Sequence, residues 1–442
     1  MTEAPLASPS FNALLRTFGR IGLINFGGPA GQIALMQKTL VDEKSWIDGD
    51  DYLRALNFCT LLPGPEAQQL ATYVGWKLHG VRGGLAAGIL FVLPGAAVIL
   101  ALSILYVLAA DLKPVAAALL GVKAAVLAIV VEALFRISKR ALNAPVKRLI
   151  AVLAFIALAV FSAPFPAVVV VAGVAGFLIA NRHPEALRLK PVLDQGALAP
   201  ARPLIARTFA TILGWLTIWA LPMLGAALML GPNHVLVAIG LFFGKLATVT
   251  FGGAYAVLAY MAQQAVTDQH WLRPSEMVDG LGLAETTPGP LILVTQYVGF
   301  IAAFRHPAPF TPLVAGVIGA AMTLWVTFTP CFLWIFAAAP WLQRLERARR
   351  LQGTLAAVTA AVVGVIANLT LWFALHVLFS RFTTARLGPL KLGLPDLMSL
   401  DWRPLVLSIL AALLLFRFHL GVIRTLGCAV VGGLALLLVG AF

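Results

Sequence analysis

The chain has 442 residues, 60% hydrophobic and only 11% charged, with a formal net charge of +14. A soluble domain carries about 45–50% apolar and about 25% charged residues, so an ordinary soluble protein is excluded and a membrane protein is expected. The basic excess falls mostly between apolar runs, as loops facing anionic lipid require, so nucleic acid is not an expected partner; part of the charge is also suited to attracting an anionic solute.

Apolar runs of the length needed to cross hydrocarbon (roughly 20 residues) recur along nearly the whole sequence, and the short alternating segments of a barrel are absent. The expected fold class is therefore all-α, a polytopic membrane protein. Residues 11–40 form a first element interrupted by Gly27-Gly28-Pro29, and Trp46 follows as an interfacial anchor. A second element, 52–76, is cut by Pro63-Gly64-Pro65. Plain spans are predicted at 83–110 and 114–135, then an apolar pair at 148–162 and 165–181. The polar, Pro-rich stretch 182–203 reads as a cytoplasmic linker, and 204–230 as a connector helix without a counterpart. The pattern then restarts: a Gly-broken element at 235–262, a Pro-broken one at 276–301, spans at 312–338 and 353–379, and a pair at 404–418 and 421–441. Cys59, Cys331 and Cys428 are scattered without metal-ligand or redox spacing, so no metal or other cofactor is expected. The first ten residues lack a basic n-region and an h-region, so no cleaved signal is expected.

The restart is an internal duplication. Phe26-Gly27-Gly28, Trp46, Pro63-Gly64-Pro65 and Tyr73-Val74-Gly75 recur as Phe251-Gly252-Gly253, Trp271, Pro288-Gly289-Pro290 and Tyr297-Val298-Gly299. Twenty residues separate Phe from Trp, and seventeen separate Trp from Pro-Gly-Pro, in both copies. The first repeat is 11–181 and the second 235–442, giving thirteen elements in all. Six elements return the chain to its starting side and one connector carries it across, so the repeats are expected to be inverted, as in many secondary transporters. Most basic loops fall on one side under this count, which places the amino terminus in the cytoplasm and the carboxyl terminus outside. The loop with Arg381, Arg386 and Lys391 falls on the other side and counts against it.

Helix breaks at membrane depth leave backbone groups that hydrocarbon cannot satisfy, so they persist only inside protein or against a wet cavity. Each break also starts a half-helix whose free N–H groups favour an anion. Taken singly, Gly27 with Gly31, or Gly84 with Gly88, reads equally well as close helix packing. Taken as matched pairs, Gly27, Gly28, Pro63, Gly64 and Pro65 with Gly252, Gly253, Pro288, Gly289 and Pro290 read as a binding centre. Arg20 and Lys245 each stand six residues before their Phe-Gly-Gly, a matched pair of cations suited to a doubly charged oxyanion, unless both snorkel to an interface. Asn25, Gln68, Gln69, Tyr73, Gln296 and Tyr297 can donate hydrogen bonds to such an ion or to a neighbouring helix. Glu66 and Glu285 beside the Pro-Gly-Pro breaks are candidates for a coupling proton. Lys123 and Glu132, nine residues apart within one span, either pair through a neighbour or serve separately.

Asn25-Phe-Gly-Gly-Pro29, the run Leu62-Pro-Gly-Pro-Glu-Ala-Gln-Gln-Leu-Ala-Thr-Tyr-Val-Gly-Trp76 and Ala284-Glu-Thr-Thr-Pro-Gly-Pro290 resemble the chromate ion transporter family in its long, two-domain form. The resemblance implies export of chromate across the bacterial inner membrane, driven by protons or another coupling ion, and chromate resistance. It leaves sulfate, which chromate mimics in shape and charge, as an alternative substrate. Pro29 stands where the second copy has Ala254, so the two breaks need not do equal work. An enzyme is not expected, because no G-x-G-x-x-G, Walker A or metal cluster is present. A homodimer is among the assemblies left open.

Overall fold

A computed structural model of the chain describes residues 9–26, 28–189, 202–249, 258, 260–262, 264–342, 348–387 and 390–440. α1 (Phe11–Ile24) starts where Ser10 Oγ accepts from the Ala13 N–H at 3.2 Å and stops at Asn25. α2 (Gly28–Gln37) begins at a backbone φ of +66°, a left-handed value that glycine adopts without strain. α3 (Gly49–Cys59) is capped by Asp48, whose carboxylate accepts from the N–H groups of Asp50 and Asp51. α4 (Glu66–Ala109) is bent back at His79 and Gly80 into limbs 66–78 and 81–109. Then come α5 (Lys113–Ala141), α6 (Pro145–Ala159), α7 (Phe165–Arg182), α8 (Arg202–Leu230) and α9 (Val235–Val249). α10 (Pro274–Thr286), α11 (Val294–Arg305), α12 (Pro312–Ala338), α13 (Arg349–Leu378), α14 (Trp402–Ala412) and α15 (Val422–Leu438) complete the helices. Six helical segments among the described residues are long and apolar enough to cross a membrane. The chain is a multi-pass, all-α membrane protein.

The loop between α13 and α14 holds an antiparallel hairpin, Phe382–Leu387 with Leu390–Pro395, in which Arg386 is registered against Lys391. The β-prone residues Phe382, Thr383 and Thr384 suit a strand, and its shortness hides it among helical runs.

The duplication reaches backbone detail. In the first copy a π-turn at Lys38–Glu43 leads to Ser45 at φ +50°, and the Trp46 N–H donates to Leu40 O at 2.8 Å. In the second, a π-turn at Gln264–Asp268 leads to His270 at φ +52°, and the Trp271 N–H donates to Ala265 O at 2.9 Å. Both Pro-Gly-Pro glycines take positive φ, +119° at Gly64 and +101° at Gly289. Both copies then make a tight helical hairpin. The limbs of α4 meet at Gly75 and Gly83, and α11 meets α12 at Gly299 and Gly319; an added Cβ would collide with the opposite backbone at Gly75, Gly83 and Gly319, and with Thr323 Oγ1 at Gly299.

The chain forms two compact units, and neither coincides with one repeat. The first comprises residues 1–101, 190–257 and 287–352, so it joins α1, α2, α3 and most of α4 to α8, α9, α11 and α12. Within it α12 packs on α8, α9 and α11. The second comprises 102–189, 258–286 and 353–442. There α5 packs on α10, α14 and α15, while α13 lies on α6 and α7 through Gly364 against Ala151 and Gly176 against Gly353.

Candidate functional site

Within the first unit the interruptions after α1, before α4 and before α11 come together. Asn25, fully buried, accepts from the Gly289 N–H through Oδ1 at 2.6 Å and donates through Nδ2 to Phe91 O at 3.3 Å. Gln32 Nε2 donates to Asn25 O at 3.1 Å and to Gly289 O at 2.5 Å. The first Gly-Gly break is thus tied to the second Pro-Gly-Pro break through both faces of one glycine. Gly95 of α4 lies so close to Pro288 O that a Cβ there would collide with it. Gln296 of α11 donates to Ala96 O at 3.0 Å. At the first Pro-Gly-Pro, Gln69 Nε2 donates to Pro63 O at 2.6 Å, and a Cβ on Gly64 would meet Cys331 Sγ of α12 at 2.9 Å.

Pro29, Gln32, Pro65, Glu66, Ala67, Pro290 and Leu291 line one cavity of about 10 Å³. These residues belong to the N-terminal turns of α2 and α4 and to the turn that leads into α11, so three half-helix starts face the same space. First-turn N–H groups have no acceptor within their own helix, and the helix dipole adds partial positive charge there. The cavity holds about one water; a tetrahedral oxyanion is several times larger and enters only if the breaks separate. Buried beside the breaks, the Oε1 atoms of Gln32, Gln68, Gln69 and Gln296 have no hydrogen-bond partner among the described residues.

The remaining expected site residues fall as follows. Gln68 is fully buried and donates to Thr72 Oγ1 at 3.1 Å. Tyr73 is buried with its ring between those of Phe58 and Trp76, at 6.0 and 5.8 Å, and Tyr297 is fully buried. Arg20 and Lys245 lie on exposed faces of α1 and α9 and do not join the buried cluster. Gly27, Gly252 and Gly253, with Ala254, lie outside the described residues. Glu66 joins the cavity wall, whereas Glu285 is buried at the end of α10 in the second unit. Lys123 and Glu132 have separate partners: Lys123 Nζ stands 2.9 Å from Asp279 Oδ1, and Glu132 pairs with Arg136 at 3.5 Å.

Sequence reasoning missed Gln32 and Asp279. The spacing Gly28-Pro29-Ala30-Gly31-Gln32 places Gln32 one turn into the half-helix that the break begins, which was the available signal. Asp279 is an acid within an apolar run and was visible as such. At the start of α3, outside the long spans, Asp51 pairs with Lys77 and Arg54. The hydrogen bond from Lys77 holds the Asp51 carboxyl below the usual aspartate value; partial burial opposes this and the Arg54 contact adds to it.

The chain is also similar to known proteins. The chromate transporter family profile matches residues 12–177 and 237–434, one stretch in each repeat. A chromate transport protein of Pseudomonas aeruginosa is 33% identical over 399 residues, covering 89% of this chain and 86% of its own. A chromate transport protein of Cupriavidus metallidurans is 29% identical over 358 residues, 80% of each chain. An uncharacterized transporter of Methanocaldococcus jannaschii is 25% identical over 373 residues, 84% of this chain and 86% of its own. No solved structure matches the chain. With the duplicated breaks, the multi-pass helical fold and a profile match across both halves in hand, the chain belongs to the chromate transporter family.

Proposed function

We propose that the protein is a secondary transporter that exports chromate across the bacterial cytoplasmic membrane, uses the ion gradient to do so, and thereby confers chromate resistance. The observation that carries this reading is the convergence of three half-helix starts on one cavity, at Pro29–Gln32, Pro65–Ala67 and Pro290–Leu291. Such ends present unpaired N–H groups and positive dipole charge to an anion without placing a full cation in the membrane. Relatives named as chromate transport proteins supply the choice of oxyanion.

The bound dianion sits between the separated breaks and accepts hydrogen bonds from first-turn N–H groups. Gln68, Gln69 and Gln296 can turn their amide NH2 groups toward it, since each carries donor and acceptor on one side chain. Glu66, in the cavity wall and in the first turn of α4, competes with the anion for those first-turn N–H groups. Arg20 and Lys245, on exposed helix faces, attract the anion to the membrane surface rather than holding it in the cavity. The two repeats run in opposite directions through the bilayer, with the amino terminus cytoplasmic and the carboxyl terminus outside.

Proteoliposomes loaded with radiolabelled chromate or sulfate test the reading. The native protein should move chromate under an imposed gradient, with sulfate competing according to its affinity. Gly28→Leu and Gly289→Leu should each lower flux by about tenfold or more while insertion is unchanged. Transport of sulfate but not chromate would reassign the substrate, and native-like flux in both variants would remove the breaks from the path. Reporter fusions at the two termini check their sides.

A further inference from the structure

In the second unit a charged cluster lies where the sequence is otherwise apolar. Lys123 follows Gly121 and Val122 and precedes Ala124, Ala125 and Val126, all of them buried. Its Nζ reaches Asp279 Oδ1 on α10 at 2.9 Å. The Tyr106 hydroxyl, near the end of α4, donates to Asp279 Oδ2 at 2.9 Å. Asp279 is only 4% exposed. The two helices approach this closely because residue 282 is a glycine: a Cβ there would meet Val122 Cγ1 at 2.6 Å.

Among the described residues, few other charges face Asp279. On its own helix Glu276, one turn away, is engaged by Arg273 at 2.8 Å. On α5 the next acid, Glu132, is nine residues from Lys123 and tied to Arg136. Asp111, in the turn between α4 and α5, acts on Arg273 at the outer end of α10. Among the described residues, Asp279 therefore has one cation and one phenol as its immediate partners.

The duplication shows that this cluster is not inherited scaffolding. Asp279 stands nine residues before Pro288, and the residue nine before Pro63 is Arg54, a charge of opposite sign. Arg54 has a side chain 40% exposed and pairs with Asp51, whereas the Asp279 side chain is 6% exposed. Glu276 and Asp51, twelve residues before their breaks, are both acids paired with an arginine three residues away. On the other helix, Lys123-Ala-Ala-Val-Leu-Ala-Ile-Val-Val-Glu132 aligns with Thr359-Ala-Ala-Val-Val-Gly-Val-Ile-Ala-Asn368, so both charges are neutral in the second copy. A fold that forms equally well with Thr359 and Asn368 does not need a buried ion pair at that place. Such a pair is costly in a membrane and is expected to be kept for what it does.

We propose that Asp279 is the proton-binding group of the transport cycle, with Lys123 the cation it releases and Tyr106 the donor that orients it. This rests on the reading of the protein as a gradient-driven oxyanion transporter. In the step, the Asp279 carboxylate takes one proton from water and becomes a carboxylic acid. Lys123 remains an ammonium, the ion pair is lost, and the cluster passes from neutral to singly positive. That charge partly balances a dianion, so one proton and one dianion move together with net negative charge. An inside-negative membrane potential drives such a complex outward. Because α10 continues directly into Pro288-Gly289-Pro290, a change at Asp279 is passed along the chain to a break. A pair present once in a duplicated chain predicts one proton per cycle.

The test uses the full-length protein in proteoliposomes carrying an internal pH dye. Chromate addition should move protons through the native protein, and flux should vary with pH. Asp279→Asn should reduce chromate-evoked proton movement by about tenfold or more and flatten the pH profile. Tyr106→Phe should shift the profile while keeping proton movement. If Asp279→Asn does not fold, the double variant Lys123→Gln/Asp279→Asn leaves no unpaired buried ion and replaces it. A structural role for the pair predicts that the double variant regains proton movement; the proposal predicts a folded protein without it. Native-like proton movement in either variant overturns the proposal. Should the native protein carry neither chromate nor sulfate, the transport reading fails, and Asp279 is then read directly. In infrared difference spectra after a pH jump, a carboxylic-acid C=O band lost in Asp279→Asn supports proton binding there, and an unchanged band rejects it.

Discussion

Asn25 and Gln32 satisfy a glycine 264 and 257 residues away, one through its N–H and the other through its carbonyl. Removing the Asn25 side chain leaves the buried Gly289 N–H with only the long contact to Asn25 O at 3.4 Å. Asn25→Ala should therefore lower unfolding stability by about 1–3 kcal/mol, read as a fall in thermal midpoint in detergent, with flux falling alongside. Asp51 offers a pH signature in the same assay. Its carboxyl is held down chiefly by Lys77, so its stabilisation is fully present above the unfolded aspartate value of about 4 and is lost as pH falls through the lower folded value. Asp51→Asn should be less stable than native at neutral pH, and the difference should vanish at low pH. A constant difference at every pH would remove the ion pair as its cause. Single residues were legible where the backbone itself imposes the choice, as at Gly64 and Gly289 with positive φ. Gln32 and Asp279 were not, because each matters through a partner on a distant element, and nothing adjacent in the chain marks that partner.

At the scale of elements, the break after α1 and the two Pro-Gly-Pro breaks were readable because Gly-Gly and Pro-Gly-Pro carry their backbone consequences in plain view. Each Pro-Gly-Pro break leads into a short helix that folds back on the next span. The hairpins made by α4 and by α11 with α12 depend on the absence of side chains at Gly75 and Gly83, and at Gly299 and Gly319. At Gly75 the opposing atoms include Gly83 O, which is backbone and cannot swing aside. Gly75→Ala and Gly299→Ala should each destabilise by about 1–3 kcal/mol through forced separation of the helices. The measurement is the thermal midpoint of each purified variant, and a pronounced difference between them would show that the copies bear unequal structural loads. The strand pair at Phe382–Leu387 and Leu390–Pro395 escaped sequence reading because two short strands between long apolar helices give little periodic signal.

For the whole molecule, each compact unit takes segments from both repeats. The first contains α1 to α3 and most of α4 beside α9, α11 and α12, and the second contains the end of α4 and α5 to α7 beside α10 and α13 to α15. Neither repeat alone can complete either unit. A chain cut within 190–201 should yield two halves that are inactive when expressed singly and regain chromate flux when expressed together. Flux from one half by itself would contradict the shared construction. That the chain is built of many apolar helices was readable from hydropathy; their interleaving was not, because apolar surfaces on helices do not declare their partners.

α8 stands apart from this construction. Only 6% of its most apolar window is buried, and it is attached chiefly by indole groups: Trp219 donates to Val326 O, Trp325 to Ile218 O and Trp341 to Thr208 Oγ1. The face that α9 and α12 leave uncovered carries exposed apolar residues such as Leu213, Leu221 and Leu228, a surface suited to acyl chains, which ask for greasiness and length but not for shape. Its spelling is therefore free to drift so long as those few anchors persist, and two relatives with scarcely a letter in common along this rod can share one architecture.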